Sequence, residues 1–328
     1  MNKILYSILL LGLSVSLING RETDNQHFSG KFNTPSVSFS EACFPIADPY
    51  ILLFNNKYYA YGTRTKGFEV FISDDLKHWR RGNRLALDPE DSWGTKWYWA
   101  PEVYYVESKK KFYMYYTVDE HICVATSDSP EGPFVQEEER PIREEKCIDA
   151  SLFIDDDGKP YLYFVRFTGG NVIWGVELND DLKSVKEKTL TKCIQAEDAW
   201  ELKQSKVVEG PSLLKKNGSY YLIYSANHFR SQDYAVGYAT ADSPLGPWKK
   251  YKRNPILRWD KTFVNGLVGT GHGAPFMSKD GCYKYIFHAH SGSNRVEPRS
   301  SYISDLFFDD EGGLSIAGKV VKPVVNYN

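Results

Sequence analysis

The sequence has few cysteines, and they are scattered along the chain. Five cysteines among 328 residues leave at least one without a disulfide partner. No two of them form the CxxC spacing that is typical of zinc and redox sites. A zinc site is therefore disfavoured, and the pattern indicates separate thiols in the core. The five are Cys43, Cys123, Cys147, Cys193 and Cys282.

Net charge is also nearly absent, because 42 acidic residues offset 40 basic ones and leave a formal charge of −2. This balance argues against a nucleic-acid-binding protein, which needs a strongly basic surface. Helical periodicity of apolar residues is nearly absent as well. The chain is therefore predicted to be all-β.

Long apolar runs are missing except at the N-terminus, where residues 4 to 18 follow Lys3. This run is short for a membrane span and is typical of a secretory signal peptide. We predict a signal peptide over residues 1–20, export to the periplasm or the cell exterior, and no stable membrane span. The first cysteine, Cys43, is too distant from the apolar run for a lipid anchor. Residues 21–40 are polar and are predicted to form a flexible lead-in.

Aromatic residues, in contrast, are abundant at 15%, with 23 Tyr and 8 Trp. Such residues suit strands and sugar-stacking surfaces. Many of them fall in five segments that align without gaps around one small residue. Each segment has an apolar strand, a polar turn such as "NNK" or "KNGS", and a second strand rich in Tyr and Phe, which is the pattern of a hairpin. The aligned residues are Pro49, Pro101, Ala150, Pro211 and Pro275.

A further strand pair follows each hairpin, so each unit holds roughly four strands. Five such units predict a five-bladed β-propeller, with four-stranded blades around a central channel. We expect this propeller to form a single domain over residues 41–328. A β-sandwich is the alternative, but a sandwich does not need five matching copies.

The start of each inner strand carries the residues of greatest chemical interest. In a propeller the inner strands all run the same way, so their first residues meet at one end of the channel. Alone, each of these residues has a structural explanation, such as an Asp before Pro in a turn. Together they bring three carboxylates and a histidine to one opening, and crowding like charges is costly without a function. The residues are Asp48, Ala100, Asp149, Glu209 and His272.

Three neighbouring carboxylates suit glycoside hydrolysis. One carboxyl group must stay protonated to donate to the leaving oxygen, and another must be ionised to activate water or attack carbon. A third acid raises the pKa of the proton donor through charge repulsion. Metal-assisted hydrolysis would instead require more His or carboxylate ligands around a single ion.

At these positions the sequence resembles glycoside hydrolase family 43, a family of five-bladed propeller arabinofuranosidases, xylosidases and arabinanases. The resemblance rests on "ADPYI", "WAPEV", "IDASLF", "VEGPSL" and "GHGAPF", one in each blade and in the family's order. It implies that Asp48 is the general base, Glu209 the general acid, and Asp149 the acid that tunes and orients the donor. It also implies inversion of configuration, with Asp48 and Glu209 roughly 6.5 to 9.5 Å apart.

The resemblance implies supporting roles for three further residues. Trp99 is similar to the aromatic residue that flanks the sugar, although an inter-blade core position is an equal alternative. His272 matches a histidine near the channel axis, which in some members holds a calcium ion through water; it could equally bond the substrate or channel water. Arg299, with Arg295 as its rival, matches an arginine that reaches the sugar hydroxyls. No cofactor is required, and Glu102 is interpreted as structural.

The resulting hypothesis is an exported, inverting glycosidase that cleaves α-L-arabinofuranosyl or β-D-xylosyl linkages of plant glycans. An exo-acting arabinofuranosidase is the preferred form. A sugar-binding propeller without catalysis is one alternative, although it would not need three converging acids. A retaining fructan or sucrose hydrolase is another, but those enzymes place their Asp nucleophile in an Asn-Asp-Pro context, and here Ala47 precedes Asp48.

Overall fold

The computed structural model describes residues 41–259 and 266–326 of the chain, and the side chains of residues 44–259 and 266–326. The predicted signal peptide and lead-in lie outside the described residues. Within these ranges, no helix has the length and apolar character needed to cross a membrane.

In the part of the chain that the structure describes, twenty-one strands form five sheets, one for each predicted blade, and two short 3-10 helices lie in the connections. Blade 1 contains β2 (Ala47–Phe54), β3 (Lys57–Thr63), β4 (Phe68–Ser73) and β5 (His78–Leu87). The preceding strand β1 (Glu41–Cys43) belongs to the same sheet. Blade 2 contains β6 (Trp99–Val106), β7 (Lys111–Val118) and β8 (His121–Ser127). Blade 3 contains β9 (Cys147–Ile154), β10 (Pro160–Phe167), β11 (Asn171–Glu177) and β12 (Thr191–Ile194).

Blade 4 contains β13 (Val208–Lys216), β14 (Ser219–Ala226), β15 (Ala235–Ala241) and β16 (Lys249–Lys250). Blade 5 contains β17 (Gly271–Met277), β18 (Tyr283–Ala289), β19 (Ser300–Phe308) and β20 (Leu314–Val321). The last strand, β21 (Val324–Asn326), belongs to the sheet of blade 1. The 3-10 helices are Pro89–Asp91 and Glu187–Thr189. The five-bladed β-propeller predicted from the repeats is confirmed.

The first hairpins turn where the sequence predicts. Asn55 and Asn56 link β2 to β3 with φ of 47° and 60°, and Asn217 and Gly218 link β13 to β14 with φ of 52° and 82°. Two successive positive φ values are the signature of the tight turn that matches strand twist, and Asn and Gly adopt them most readily.

Blade 2 departs from the four-strand pattern, because its sheet has three strands. The expected outer strand is reduced to an isolated bridge between Thr126 and Val135. Pro130 and Pro133 lie five and two residues before Val135 in "SPEGPFV". Proline has no amide hydrogen to donate to a ladder, so pairing cannot extend through this segment.

The hydrophobic core lies between the blades as five separate clusters. Each cluster joins the facing sheets of two neighbours; one, for example, packs Val70 and Tyr61 of blade 1 against Met114 and Phe112 of blade 2. The others join blades 2 and 3, 3 and 4, 4 and 5, and 5 and 1. Tyr and Phe fill much of these interfaces, which accounts for the aromatic surplus of the sequence.

The two ends of the described chain meet at the outer edge of blade 1. The strand β21 pairs in parallel with β5, and β1 pairs antiparallel with β21. The side chain of Val325 is fully buried in the cluster between blades 5 and 1. Next to it, the Phe44 ring stacks on Trp79 with centroids 4.9 Å apart. The ring of blades is thus closed by strand pairing and by apolar packing.

We expect Val325→Ala to lower the free energy of unfolding by about 2 kcal/mol, because it removes two buried methyl groups and leaves a cavity. Urea denaturation measures this loss. Val324→Ala is the matched control, since Val324 lies in the same strand but is only partly buried. An equal loss in both variants would show that the buried contact of Val325 does not stabilise the closure.

Candidate active site

All five inner strands break their pairing register near their first residues. At each break one residue has a positive φ, and β-bulges of this kind redirect side chains at the rims of sheets. The five residues occupy equivalent positions, which places them together at one end of the channel. They are Asp48 (φ 50°), Ala100 (43°), Asp149 (59°), Gly210 (58°) and His272 (39°).

The backbone amide of each bulge residue is bound by a side chain from the preceding blade. In four of the five cases this side chain lies on the second strand of the preceding blade. Its residue pairs with the first-strand residue that directly precedes the bulge of that same blade. Since a buried amide without a partner is costly, these bonds hold the bulges in place. The pairs are Ala100 with Thr63 Oγ1 (3.0 Å), Asp149 with Thr117 Oγ1 (3.0 Å), His272 with Ser225 Oγ (2.8 Å) and Asp48 with His288 Nδ1 (3.1 Å).

Gly210 is the exception, and the exception involves a candidate catalytic acid. The equivalent second-strand position in blade 3 is Val165, which cannot accept a hydrogen bond. The Gly210 amide donates to Asp149 Oδ2 instead, at 3.1 Å. One carboxylate oxygen of Asp149 is therefore positioned by the backbone next to Glu209.

Asp48 is held in its ionised form by the groups around it. Its Oδ1 lies 2.9 Å from Arg299 Nη1 and 3.3 Å from His272 Nδ1, and its Oδ2 accepts a hydrogen bond from Thr63 at 2.5 Å. Burial alone would raise the pKa of Asp48, but the positive charge of the adjacent Arg299 holds it well below the usual value. Asp48 can therefore act as a base throughout the physiological range.

Asp149 is shifted in the opposite direction. Among the described residues, the basic side chain paired with Asp149 is His272, whose Nδ1 lies 4.0 Å from Asp149 Oδ2. This distance is longer than the 2.9 Å between Arg299 and Asp48. Burial first, and the negative charge of Asp48 second, raise the pKa of Asp149 to about 7, although the Gly210 amide opposes the shift.

Glu209 lies at the start of β13 and is likewise buried, with 9% of its surface exposed. Its two carboxyl oxygens have uncharged partners, since Tyr234 donates its hydroxyl to Oε1 at 2.9 Å and Asn171 donates its amide to Oε2 at 3.0 Å. Burial and the charge of Asp149 raise the pKa of Glu209 to about 7. Glu209 can therefore carry a proton at neutral and acidic pH.

His272 lies between two of the acids, at 3.3 Å from Asp48 and 4.0 Å from Asp149. The small cavity on the axis, of about 10 Å³, is lined by these three residues, by Glu102 and by small residues, and has room for about one water. Within the ranges described, no group of three or more His, Cys, Asp or Glu side chains is arranged to hold a metal ion. The predicted calcium ion therefore has no direct set of protein ligands there, and an ion held through water stays a prediction.

The structure separates the two candidate arginines. Arg299 is 2.9 Å from Asp48 and also pairs with Glu297 at 3.1 Å. Arg295 is exposed. Within the described residues, its side chain donates one hydrogen bond, to the backbone oxygen of Glu297. Trp99 is partly buried: it packs against the core between blades 3 and 4 and also lines a surface groove beside Arg299. The core position predicted for Trp99 therefore holds in part, and its contact with the sugar stays a prediction.

Comparison with known proteins bears on this geometry. The sequence profile of glycosyl hydrolases family 43 matches residues 44–312. The chain belongs to glycoside hydrolase family 43. It is a glycosidase.

Three similar proteins illustrate the range of this family. A β-D-galactofuranosidase of Aspergillus niger is 30% identical over 86% of this chain and 85% of its own length. A β-xylosidase of Xylanibacter ruminicola is 26% identical over 82% of this chain and 95% of its own length. The crystal structure of an endo-1,4-β-xylanase from Bacteroides thetaiotaomicron is 61% identical, covers 88% of this chain and 99% of its own, and has a TM-score of 0.85.

Four residues of the family 43 site were not found from the sequence: Thr63, His288, Tyr234 and Asn171. A signal existed for the first two, because "YGT", "YYT", "YSA" and "FHA" end the second strand of four repeats with polar residues at equivalent positions. Tyr234 immediately precedes β15, and Asn171 begins β11. Neither of these two belongs to the aligned hairpins, so the repeat gave no indication of them.

We expect Thr63→Val and Thr117→Val to lower the free energy of unfolding by similar amounts, about 1–3 kcal/mol, since each leaves one buried amide unpaired. Only Thr63→Val also removes a hydrogen bond to Asp48. It should therefore raise the pKa of Asp48, and Thr117→Val should leave that pKa unchanged. Urea denaturation and a carboxyl ¹³C NMR titration measure the two effects. An unchanged Asp48 pKa in both variants would contradict a role for Thr63 at the base.

Proposed function

We propose that the protein is an inverting glycosidase that cleaves β-D-xylosyl or α-L-arabinofuranosyl linkages of plant polysaccharides. One observation carries this proposal: two buried carboxyl groups of one site have opposite pKa shifts. Arg299 lies 2.9 Å from Asp48 and keeps it ionised, whereas Glu209 has only neutral hydrogen-bond donors, and burial first and Asp149 second raise its pKa to about 7. Hydrolysis of a glycosidic bond requires one group of each kind.

In the proposed reaction, Glu209 donates its proton to the oxygen of the leaving group. Asp48 takes a proton from a water that attacks the opposite face of the sugar, so the anomeric configuration inverts. The hydrogen bonds from Tyr234 and Asn171 fix the direction of the Glu209 carboxyl. When Asp149 is ionised, its negative charge disfavours loss of the Glu209 proton.

His272 and Trp99 are proposed to contact the sugar, and Arg299 to position Asp48 and reach the sugar hydroxyls. The ion pair at 2.9 Å supports the positioning role of Arg299. No step of the reaction depends on a metal ion. Calcium in the channel, export through the predicted signal peptide, and exo action on an arabinofuranosyl end stay predictions.

The activities after which the similar proteins are named support a pentose or a furanose as the sugar. They are a xylosidase, a xylanase and a galactofuranosidase. The xylanase has the highest identity of the three, at 61%. Xylan is therefore the first polymer to test, with arabinan and arabinofuranosyl side chains next.

The direct test uses nitrophenyl β-D-xyloside, α-L-arabinofuranoside and β-D-galactoside, followed by xylo- and arabino-oligosaccharides. We expect hydrolysis of at least one pentoside, with a first product of inverted anomeric configuration in ¹H NMR spectra. A retained configuration would favour the fructan or sucrose hydrolase mechanism. Binding of the oligosaccharides without hydrolysis of any substrate would favour a carbohydrate-binding propeller. Release of single sugars from chain ends distinguishes exo from endo action.

The pH dependence tests the assignment of the proton donor. Because the pKa of Glu209 is raised to about 7, kcat/KM should fall as the pH rises through about 7 and the donor loses its proton. The acid limb should lie at low pH, since the pKa of Asp48 is lowered. Glu209→Gln should lower activity on oligosaccharides by about 10²- to 10⁴-fold and abolish the alkaline limb.

Glu102→Gln is the matched control. Glu102 is a second glutamate near the axis, partly buried at the cavity lining, and desolvation raises its pKa to about 8. Its amide variant should keep both activity and the alkaline limb. An alkaline limb that disappears in Glu102→Gln and persists in Glu209→Gln would overturn the assignment.

A further inference from the structure

A groove of about 570 Å³ opens beside the proposed catalytic residues. Its walls come from the ends of blades 1 and 2 and from the segment before β19, and they include Thr63, Trp99 and Arg299. Thr63 and Arg299 also contact Asp48 directly. A glycan chain that extends from the cleaved sugar towards this side of the site would lie in the groove.

The lining of the groove includes a pair of stacked tryptophans. The Trp97 and Trp99 rings lie 5.7 Å apart at an interplanar angle of 18°. Trp97 is 43% exposed and has a φ of 61°, although a bulky residue rarely adopts positive φ. Strain of this kind is concentrated at ligand sites, where it holds a side chain in a required position. An exposed, fixed aromatic face is a surface on which a sugar ring stacks.

The same groove has an excess of positive charge. Arg64 is ion-paired with Glu69, and Arg299 is ion-paired with Asp48 and Glu297. Two lysines remain, Lys66 and Lys96, both exposed, and neither forms an ion pair with a carboxylate of the described residues. Lys96 Nζ lies 4.2 Å from the centre of the Trp97 ring.

Aromatic surface and positive charge therefore occur at the same place. We propose that this groove binds a uronic acid unit of the glycan chain: its ring stacks on Trp97, and its carboxylate pairs with Lys96 and Lys66. The proposal rests on the proposed function, since it assigns the substrate class next to the cleaved linkage. With a neutral sugar, Lys66 would have no charged partner and Lys96 would keep only its contact with the Trp97 ring.

Electrostatic recognition of this kind has a measurable signature. Two exposed lysine–carboxylate pairs should make an acidic oligosaccharide bind about three- to tenfold more tightly than a neutral one of equal length at low salt. The preference should shrink as salt increases, because exposed pairs are screened. Stacking on Trp97 should contribute equally to both ligands.

The experiment is calorimetric titration of the full mature chain carrying Glu209→Gln, which prevents turnover. The ligands are a xylo-oligosaccharide substituted with glucuronic acid and the unsubstituted oligosaccharide of the same length. Adding Trp97→Ala should weaken both by about three- to tenfold. Adding Lys66→Gln and Lys96→Gln together should remove only the preference for the acidic ligand.

Trp259→Ala is the matched control, because Trp259 is 40% exposed and follows the bridge from Leu257 to Val236 of blade 4, away from the groove. It should change neither affinity. Circular dichroism verifies folding of each variant. Equal binding of both ligands at low salt, or a preference that survives the double lysine substitution, overturns the proposal. Hydrolysis of nitrophenyl pentosides by the unmutated protein tests the proposed function separately, since those substrates carry no uronic acid.

Discussion

The hydrogen bond between a bulge amide of one blade and a side chain of the preceding blade underlies the site. A positive φ costs of order 1 kcal/mol or more for a residue with a side chain, and Asp48, Asp149 and His272 all have one. Such a conformation persists only when its surroundings compensate for it. The bonds from Thr117, Ser225 and His288 provide that compensation, and they join the blades at the same time. The same hydrogen bonds therefore join neighbouring blades and hold the acids in position.

The site also shows how similar burial can have opposite electrostatic results. Asp48, Asp149 and Glu209 are all at least nine-tenths buried. Asp48 has a guanidinium beside it, whereas the oxygens of Glu209 have a phenol and an amide as hydrogen-bond partners. Hydrogen bonds from neutral donors do not offset burial as a cation does, so one carboxyl ionises and the other keeps its proton. The difference lies in the partners of each acid and not in its depth.

The sequence predicted the ring because hairpin signals and small anchor residues recur in every blade. It predicted the meeting of Asp48, Asp149 and His272 for the same reason, since repeated units place equivalent residues together. Glu209 joins them because it directly precedes Gly210, the equivalent residue of blade 4. It did not predict the roles of Tyr234 and Asn171. Both lie outside the repeated hairpins, and only the folded chain brings them within hydrogen-bond distance of Glu209. Nor did it predict that β21 would pair with blade 1 or that blade 2 would lose its outer strand. Pairing at outer edges depends on a few residues, and no periodic pattern marks them.

The pairing of β21 with β5 has a consequence for how the molecule folds. Its partners are separated by more than two hundred residues, since Val324 pairs with His78. During synthesis, β5 of blade 1 keeps an open strand edge until residues 324–326 have emerged. Open edges of this kind attract strands of other molecules, and contacts this distant in sequence form slowly. The closing segment thus makes the unfinished chain, more than the finished enzyme, the form that is vulnerable to self-association.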